Sequence, residues 1–169
     1  EEAKIRILNG GHTGLAYLGA LAGHATFDEA MRDADLRRHF DGLETQEVLP
    51  GLQLELPFDR AAYCLRVAER FANEAIADAL ERICMDGFAK FPSFIRPTIE
   101  GCLAQGITPR HSYASIASWY IYARRSAAQQ TSIPYHEPNW PPLAPMLEPG
   151  CEANFAASSL RWGDLPDSY

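Results

Sequence analysis

The stretch Lys4-Ile5-Arg6-Ile7-Leu8-Asn9-Gly10-Gly11-His12 opens an apolar run that continues through Leu15, Leu18 and Leu21. These positions recur at helical spacing. They predict a helix buried on most of its sides, from about Glu2 to Ala22, stopped by Gly23. Asn9, Gly10 and Gly11 sit in its middle, where each Gly costs about 1 kcal/mol relative to Ala. Glycines held at that cost predict a close approach to the backbone. At about 100° per residue, Lys4, His12 and Asn9 fall within an arc of about 140°. An amine, an imidazole and an amide on one face of an apolar helix suit recognition of, and chemistry on, a small polar molecule. A bland reading fits the same residues: a solvated Lys4, a turn at Asn9-Gly10, and a His12 that caps a helix or packs in the core.

The rest of the chain repeats the helical period and carries no long alternating strand pattern, so the fold class expected is all-α, one compact domain of roughly eight helices. Thr26 and Glu29 read as a capping box for a short helix through Arg32. Asp33 or Asp35 caps the next helix, Leu36 to about Val48, which Pro50 closes. Its charges (Arg37, Arg38, His39, Asp41, Glu44, Glu47) read as a solvated face. Pro57 and Asp59 open a helix to Phe71. Asn73 is a good cap for Glu74 to Met85, ended by Asp86-Gly87. Phe88 to Pro92 is expected as an ordered loop. Pro97 then starts a helix through Gln105 to Gly106, and Thr108-Pro109 start an aromatic one through Trp119 to Arg125. Ala127 to Pro149 carries Pro134, Pro138, Pro141, Pro142, Pro145 and Pro149, and regular structure is not expected there. A last short helix is expected within Gly150 to Trp162. The chain thus divides into a helical core, 1–126, and a Pro-rich segment of the same domain, 127–169.

With 169 residues, 47% hydrophobic and 22% charged, the composition is that of a folded globular domain. A net charge of -7 leaves no basic footprint for nucleic acid or an anionic membrane. No apolar run approaches the roughly 20 residues that span a bilayer. Cys64, Cys84, Cys102 and Cys151 are widely spaced, with no pairing of Cys and His that suggests zinc. Without a secretory signal they are expected as reduced thiols in a cytoplasmic protein, the first three as small core residues. The chain has no initiator Met and begins almost on its best motif, which suggests a fragment.

The string K-x4-N-G-x-H, here Lys4, Asn9, Gly10 and His12 followed by Thr13-Gly14-Leu15-Ala16-Tyr17-Leu18-Gly19, closely resembles the signature of the long-chain mannitol dehydrogenase family. The resemblance continues through Arg70-Phe71-Ala72-Asn73-Glu74-Ala75-Ile76 and through Arg82-Ile83-Cys84-Met85-Asp86-Gly87-Phe88-Ala89-Lys90-Phe91-Pro92. It covers roughly residues 1–125 and fades in the Pro-rich tail. In Asp86 to Ile99 the sequence is most similar to the D-arabinitol 4-dehydrogenase branch. The resemblance implies the C-terminal substrate domain of an NAD-dependent polyol dehydrogenase. It implies as partner an N-terminal dinucleotide-binding domain, which this chain lacks: no G-x-G-x-x-G follows a strand here. The fragment alone is therefore expected to bind NAD weakly and to be inactive.

Oxidising a secondary alcohol needs a base for the hydroxyl proton, an acceptor for the hydride, and donors for the developing alkoxide. With no metal cluster in the sequence, a side-chain base with amide donors is the consistent scheme. In the resembling family Lys4 corresponds to that base, a role that asks burial to favour its neutral amine. Asn9 corresponds to an oxyanion donor, and His12 to a partner of a neighbouring hydroxyl. Arg82 and Lys90 correspond to substrate-binding cations; they equally fit an Arg82 paired with Asp78 or Asp86 and a solvated Lys90. Asp86 reads as a turn residue, and His24, His39, His111 and His136 as surface or capping residues. The same cations leave open a sister enzyme acting on aldonates (mannonate and fructuronate). A helical interaction module without catalysis is the alternative of another class.

Overall fold

The computed structural model describes residues 4–52 and 59–157. Among these, helices are the regular elements, joined by one isolated antiparallel bridge, Thr26 to Ala79. A π-helical segment, Lys4–Asn9, runs directly into α1, Gly10–Ala22. Gly23, at φ 92°, ends it with its N–H on the Ala20 and Gly19 carbonyls, as the sequence predicts. The capping box also forms: the Glu29 carboxylate accepts from Thr26 N at 3.2 Å and starts α2, Phe27–Arg32. Asp33 caps α3, Ala34–Gly42, by accepting from Asp35 N at 2.9 Å and Leu36 N at 3.2 Å.

From there the structure departs from expectation. The helix does not close before Pro50. It passes through a second π segment, Leu43–Val48, into the short α4, Leu49–Gly51. Proline is tolerated because the i→i+5 register of a π segment relieves the usual clash with the preceding turn. This register also turns Glu44 and Glu47 inward. Both are 2% exposed, so the solvated-face reading of these two residues is wrong. Glu47 accepts from His111 N, Ser112 N and Ser112 Oγ. Glu44 receives only a 3.5 Å contact from Cys64 Sγ, and its other oxygen is buried without a partner. Burial holds the Glu44 carboxyl well above its ordinary range.

Asp59 caps α5, Arg60–Phe71, by accepting from Ala62 N at 3.1 Å; Pro57 lies outside the described residues. The predicted helix from Glu74 to Met85 is mostly absent. Asn73 Oδ1 captures Ala75 N at 2.9 Å and Ala77 adopts φ 44°. The following backbone pairs with the 25–27 turn, through Phe27 N to Asp78 O and Leu80 N to Ala25 O, both at 2.9 Å. Only α6, Leu80–Ile83, remains helical. Asp86, at φ 56°, makes the turn expected of it. The expected loop is instead α7, Gly87–Lys90, and a third π segment, Phe91–Ile95, continuous with α8, Arg96–Leu103. Phe91 is fully buried, and helical backbone satisfies the polar groups that follow it inward.

α9, Arg110–Ala127, lies where predicted and packs chiefly on α1. Trp119 is fully buried at its centre and stacks on Phe91 at 4.8 Å. The two glycines of the opening motif serve the protein's own packing. A Cβ on Gly10 would stand 3.2 Å from Phe94 O, and one on Gly11 would stand 2.6 Å from Glu44 Oε1. Cys64, Cys84 and Cys102 are buried core residues as read, with the Cys84 thiol pushed up to about 12 by burial.

The Pro-rich segment, where the sequence predicts no regular structure, forms α10, Trp140–Leu143, and a 3-10 turn, Ala144–Leu147, both with proline at the helix start where its missing N–H costs nothing; α11, Glu152–Ala156, falls where the last short helix is expected. The remainder of the last predicted helix lies outside the described residues. Residues 133–139 line a seam with α9 and α7. Trp119 Nε1 donates to Tyr135 OH at 2.7 Å, and Tyr135 OH donates to Glu137 Oε2 at 2.6 Å. Glu137 also accepts from Phe88 N at 3.0 Å and Asn139 N at 2.9 Å. This seam fixes the turn that carries Lys90.

Candidate active site

The π register decides how the opening motif presents its side chains. In an α-helix Lys4 and Asn9 would stand about 140° apart. An i→i+5 register brings residues five apart closer to one face. Asn9 and His12, three apart where the α-helix begins, share a face in their turn. Lys4, Asn9 and His12 therefore form one stripe along the first helix. Arg6, 4% exposed, braces this segment from behind through Thr98 Oγ and Gly51 O, each at 3.2 Å. Lys4 is exposed, so the burial its role as a base asks for is not supplied by the described residues of this chain. Asn9 stands at the junction with α1 and its side chain makes no capping bond there.

His12 is the centre of the arrangement. Its ring stacks on Phe71 at 4.1 Å and meets Phe27 edge-on at 4.6 Å. Nε2 is buried without a hydrogen-bond partner and lies 3.9 Å from Asp78 Oδ2. Burial lowers its pKa to about 4; Asp78 opposes this, while Arg82, Lys90 and Arg70 add to it. The imidazole is neutral at pH 7, with one ring nitrogen unmatched by any hydrogen bond among the described residues.

Asp78 joins His12 to Arg82, whose guanidinium donates to Asp78 Oδ1 at 2.7 Å and is 63% exposed. The pairing with Asp78 that the sequence left open thus exists, and it presents Arg82 to the His12 face. Lys90 approaches the same region from α7. Its ammonium donates to Ile83 O at 2.9 Å, and burial lowers its pKa. The structure gathers His12, Arg82 and Lys90, with Asn9 and Lys4 continuing the face along the first helix. Arg70, Phe71 and Asp78 complete it. The motif containing Arg70-Phe71 signals the first two, and the sequence marks Asp78 only as one of two partners for Arg82, not as a neighbour of His12.

The remaining histidines have partners that the sequence did not reveal. His24 lies 3.4 Å from Asp33, and His136 is 3.0 Å from Glu81. His39 and His111 face each other with their Nδ1 atoms 3.5 Å apart. Among the described residues no group of three or more His, Cys, Asp and Glu gathers as metal ligands. No described helix is long and apolar enough to cross a membrane. A larger hollow of about 500 Å³ lies elsewhere, between α8, α9 and α11. Its walls are mostly apolar (Ile99, Ile116, Tyr120, Ile121 and Phe155), and its charged groups, Arg124 and Glu152, are paired with each other at 2.7 Å.

The family model for the mannitol dehydrogenase C-terminal domain matches residues 1–157. A D-arabinitol 4-dehydrogenase of Ralstonia nicotianae is 44% identical over 109 residues, 64% of this chain and 23% of that protein. A mannitol 2-dehydrogenase of Cereibacter sphaeroides is 31% identical over 167 residues, 98% of this chain and 35% of that protein. In structure the chain is similar to Pseudomonas fluorescens mannitol 2-dehydrogenase, solved as a ternary complex with NAD and D-mannitol. The TM-score is 0.84 at 30% identity, over 96% of this chain and 34% of that one. The chain thus spans between about a quarter and about a third of the length of these relatives.

Proposed function

From a chain that belongs to the mannitol dehydrogenase C-terminal domain family, we propose the substrate-binding and catalytic part of an NAD-dependent polyol dehydrogenase. It oxidises one secondary hydroxyl of a linear sugar alcohol to a ketone. D-arabinitol and D-mannitol are the substrates that its relatives' names support. The observation that carries this reading is the neutral, unpartnered imidazole of His12, flanked by Arg82 and Lys90 on the stripe that holds Asn9 and Lys4.

Among the described residues no strand is followed by a phosphate-binding turn and helix. The same residues fit a dinucleotide held by an N-terminal domain of the same protein, because their exposed stripe is made of groups that handle an alcohol. NAD, when bound there, supplies the hydride acceptor. Lys4, covered by that domain, takes the hydroxyl proton as general base. The Asn9 amide donates to the oxygen as it gains charge. His12 orients the neighbouring hydroxyl, and Arg82 and Lys90 donate to hydroxyls farther along the chain. An amine, an amide and an imidazole suit a side-chain base, and the reaction is proposed as metal-independent.

The test is NADH formation by the full-length protein, with Lys4 or with Lys4→Met, offered D-arabinitol, D-mannitol and D-mannonate. One polyol is oxidised, and Lys4→Met lowers kcat by about 10²–10⁴-fold. Turnover of no polyol, or an unimpaired variant, defeats the assignment.

A further inference from the structure

The seam that fixes the Lys90 turn has a second effect beside Arg82. Asp86 N donates to His136 O at 3.0 Å, and Asn139 Nδ2 donates to Asp86 Oδ1 at 3.2 Å. With Glu137 holding Phe88 N, residues 136–139 are fastened to the start of α7. His136 is thereby set against Glu81, with Nε2 3.0 Å from Oε1. Ala79, Glu81, Arg82, Met85 and His136 enclose an open cavity of about 260 Å³. Arg82 is shared: it walls this cavity and, through Asp78, faces His12. The cavity is thus a lateral continuation of the proposed polyol site, and no role has been given to Glu81, Met85 or His136.

We propose that this cavity receives the end of the polyol chain farthest from the reacting carbon, and that Glu81 makes it select an uncharged end over a carboxylate. The inference rests on the polyol dehydrogenase reading and names the substrate class within it. A terminal hydroxymethyl group is both donor and acceptor. Glu81 supplies an acceptor and Arg82 a donor from successive residues, and Met85 offers an apolar floor for the C–H faces between hydroxyls. Charge sets the preference. The Arg82 guanidinium is already matched by Asp78, so Glu81 adds a negative charge that no second arginine or lysine of the cavity wall offsets. An aldonate would bring its carboxylate beside that charge, whereas a polyol brings none.

The experiment uses the full-length protein and the polyol that it oxidises best, with the aldonate of the same carbon skeleton as competitive inhibitor. Glu81→Gln keeps the shape and an acceptor oxygen and removes the charge. The ratio of the aldonate Ki to the polyol KM falls about two- to fivefold, the range expected for an exposed charge pair. The fall shrinks as salt is raised. Glu148→Gln, an exposed acid away from the cavity, leaves the ratio where it was. A ratio unchanged in Glu81→Gln, or wild-type protein that binds the aldonate more tightly than the polyol, overturns the selectivity while leaving the dehydrogenase reading intact. Wild-type protein that turns over no polyol fails the underlying reading and this subsite with it.

Discussion

Two polar regions lie on either side of the turn at residues 84–90, and they are finished to different degrees. On the inner side, Trp119, Tyr135, Glu137 and the Phe88 amide close a chain in which each donor has an acceptor. Tyr17 OH, nearby, donates to Cys84 O at 2.7 Å. On the outer side, His12 Nε2 is buried with no partner, Asn9 makes no cap and Lys4 stands exposed. A buried polar group left unmatched costs about 1–3 kcal/mol, so it persists where something other than stability maintains it. The inner seam therefore reads as structure, and the outer face fits the proposed substrate site.

That contrast is open to measurement in urea and acid unfolding of the 169-residue chain. The largest effect belongs to the inner side: Trp119→Ala, losing a fully buried ring stacked on Phe91, lowers unfolding free energy by about 3–5 kcal/mol. A loss below about 1 kcal/mol would break the comparison.

The next effect is a pH dependence from the outer side. The His12 imidazole titrates near 4 in the fold against 6.5 for an ordinary histidine, so the unfolded chain binds the proton more readily. Its neutral form contributes stability that is fully present above pH 6.5 and is lost as pH falls toward 4, at most about 3 kcal/mol. His39, lowered to about 4 by burial and by His111, acts in the same window and direction. His12→Phe flattens its share of that acid limb; an unaltered limb in the variant removes His12 from the account.

Glu137→Ala removes the acceptor of Tyr135 OH, Phe88 N and Asn139 N and costs about 1–3 kcal/mol. In the full-length protein it also raises the polyol KM, because the Lys90 turn loosens. The smallest effect sharpens the contrast most. At pH 7 His12→Phe keeps the stack on Phe71 and removes an unpartnered nitrogen, so stability rises by about 1 kcal/mol while turnover by the full-length protein collapses.

The same contrast shows what the sequence carried. Elements that follow local chemistry were legible: the Gly23 stop, the Thr26–Glu29 box, the Asp59 cap and the aromatic stripe of α9. Elements decided by distant partners were not. Asn73 reads as a helix cap, yet the backbone after it is claimed by the turn at residues 25–27. Pro50 reads as a terminator, and only a π segment lets the helix run through it. Glu44 and Glu47 read as solvated because helical periodicity assumes an α register, which the π segment shifts. In the site, His12, Arg82 and Lys90 were named from their motif, and the structure gathers them. Asp78 was legible as a partner of Arg82 but not as a neighbour of His12, because a carboxylate four residues from an arginine is commonplace on surfaces.

The π segment at Lys4–Asn9 stores one residue more than its length of α-helix would need. Deleting a single residue between Lys4 and Asn9, Leu8 for instance, would let the segment relax into an α-helix with every residue type of the site still present. Lys4 would then turn by about 100° for the residue removed. The proposed chemistry is thus written partly as a phase, and its most damaging lesion need not touch any of the five side chains assigned to it.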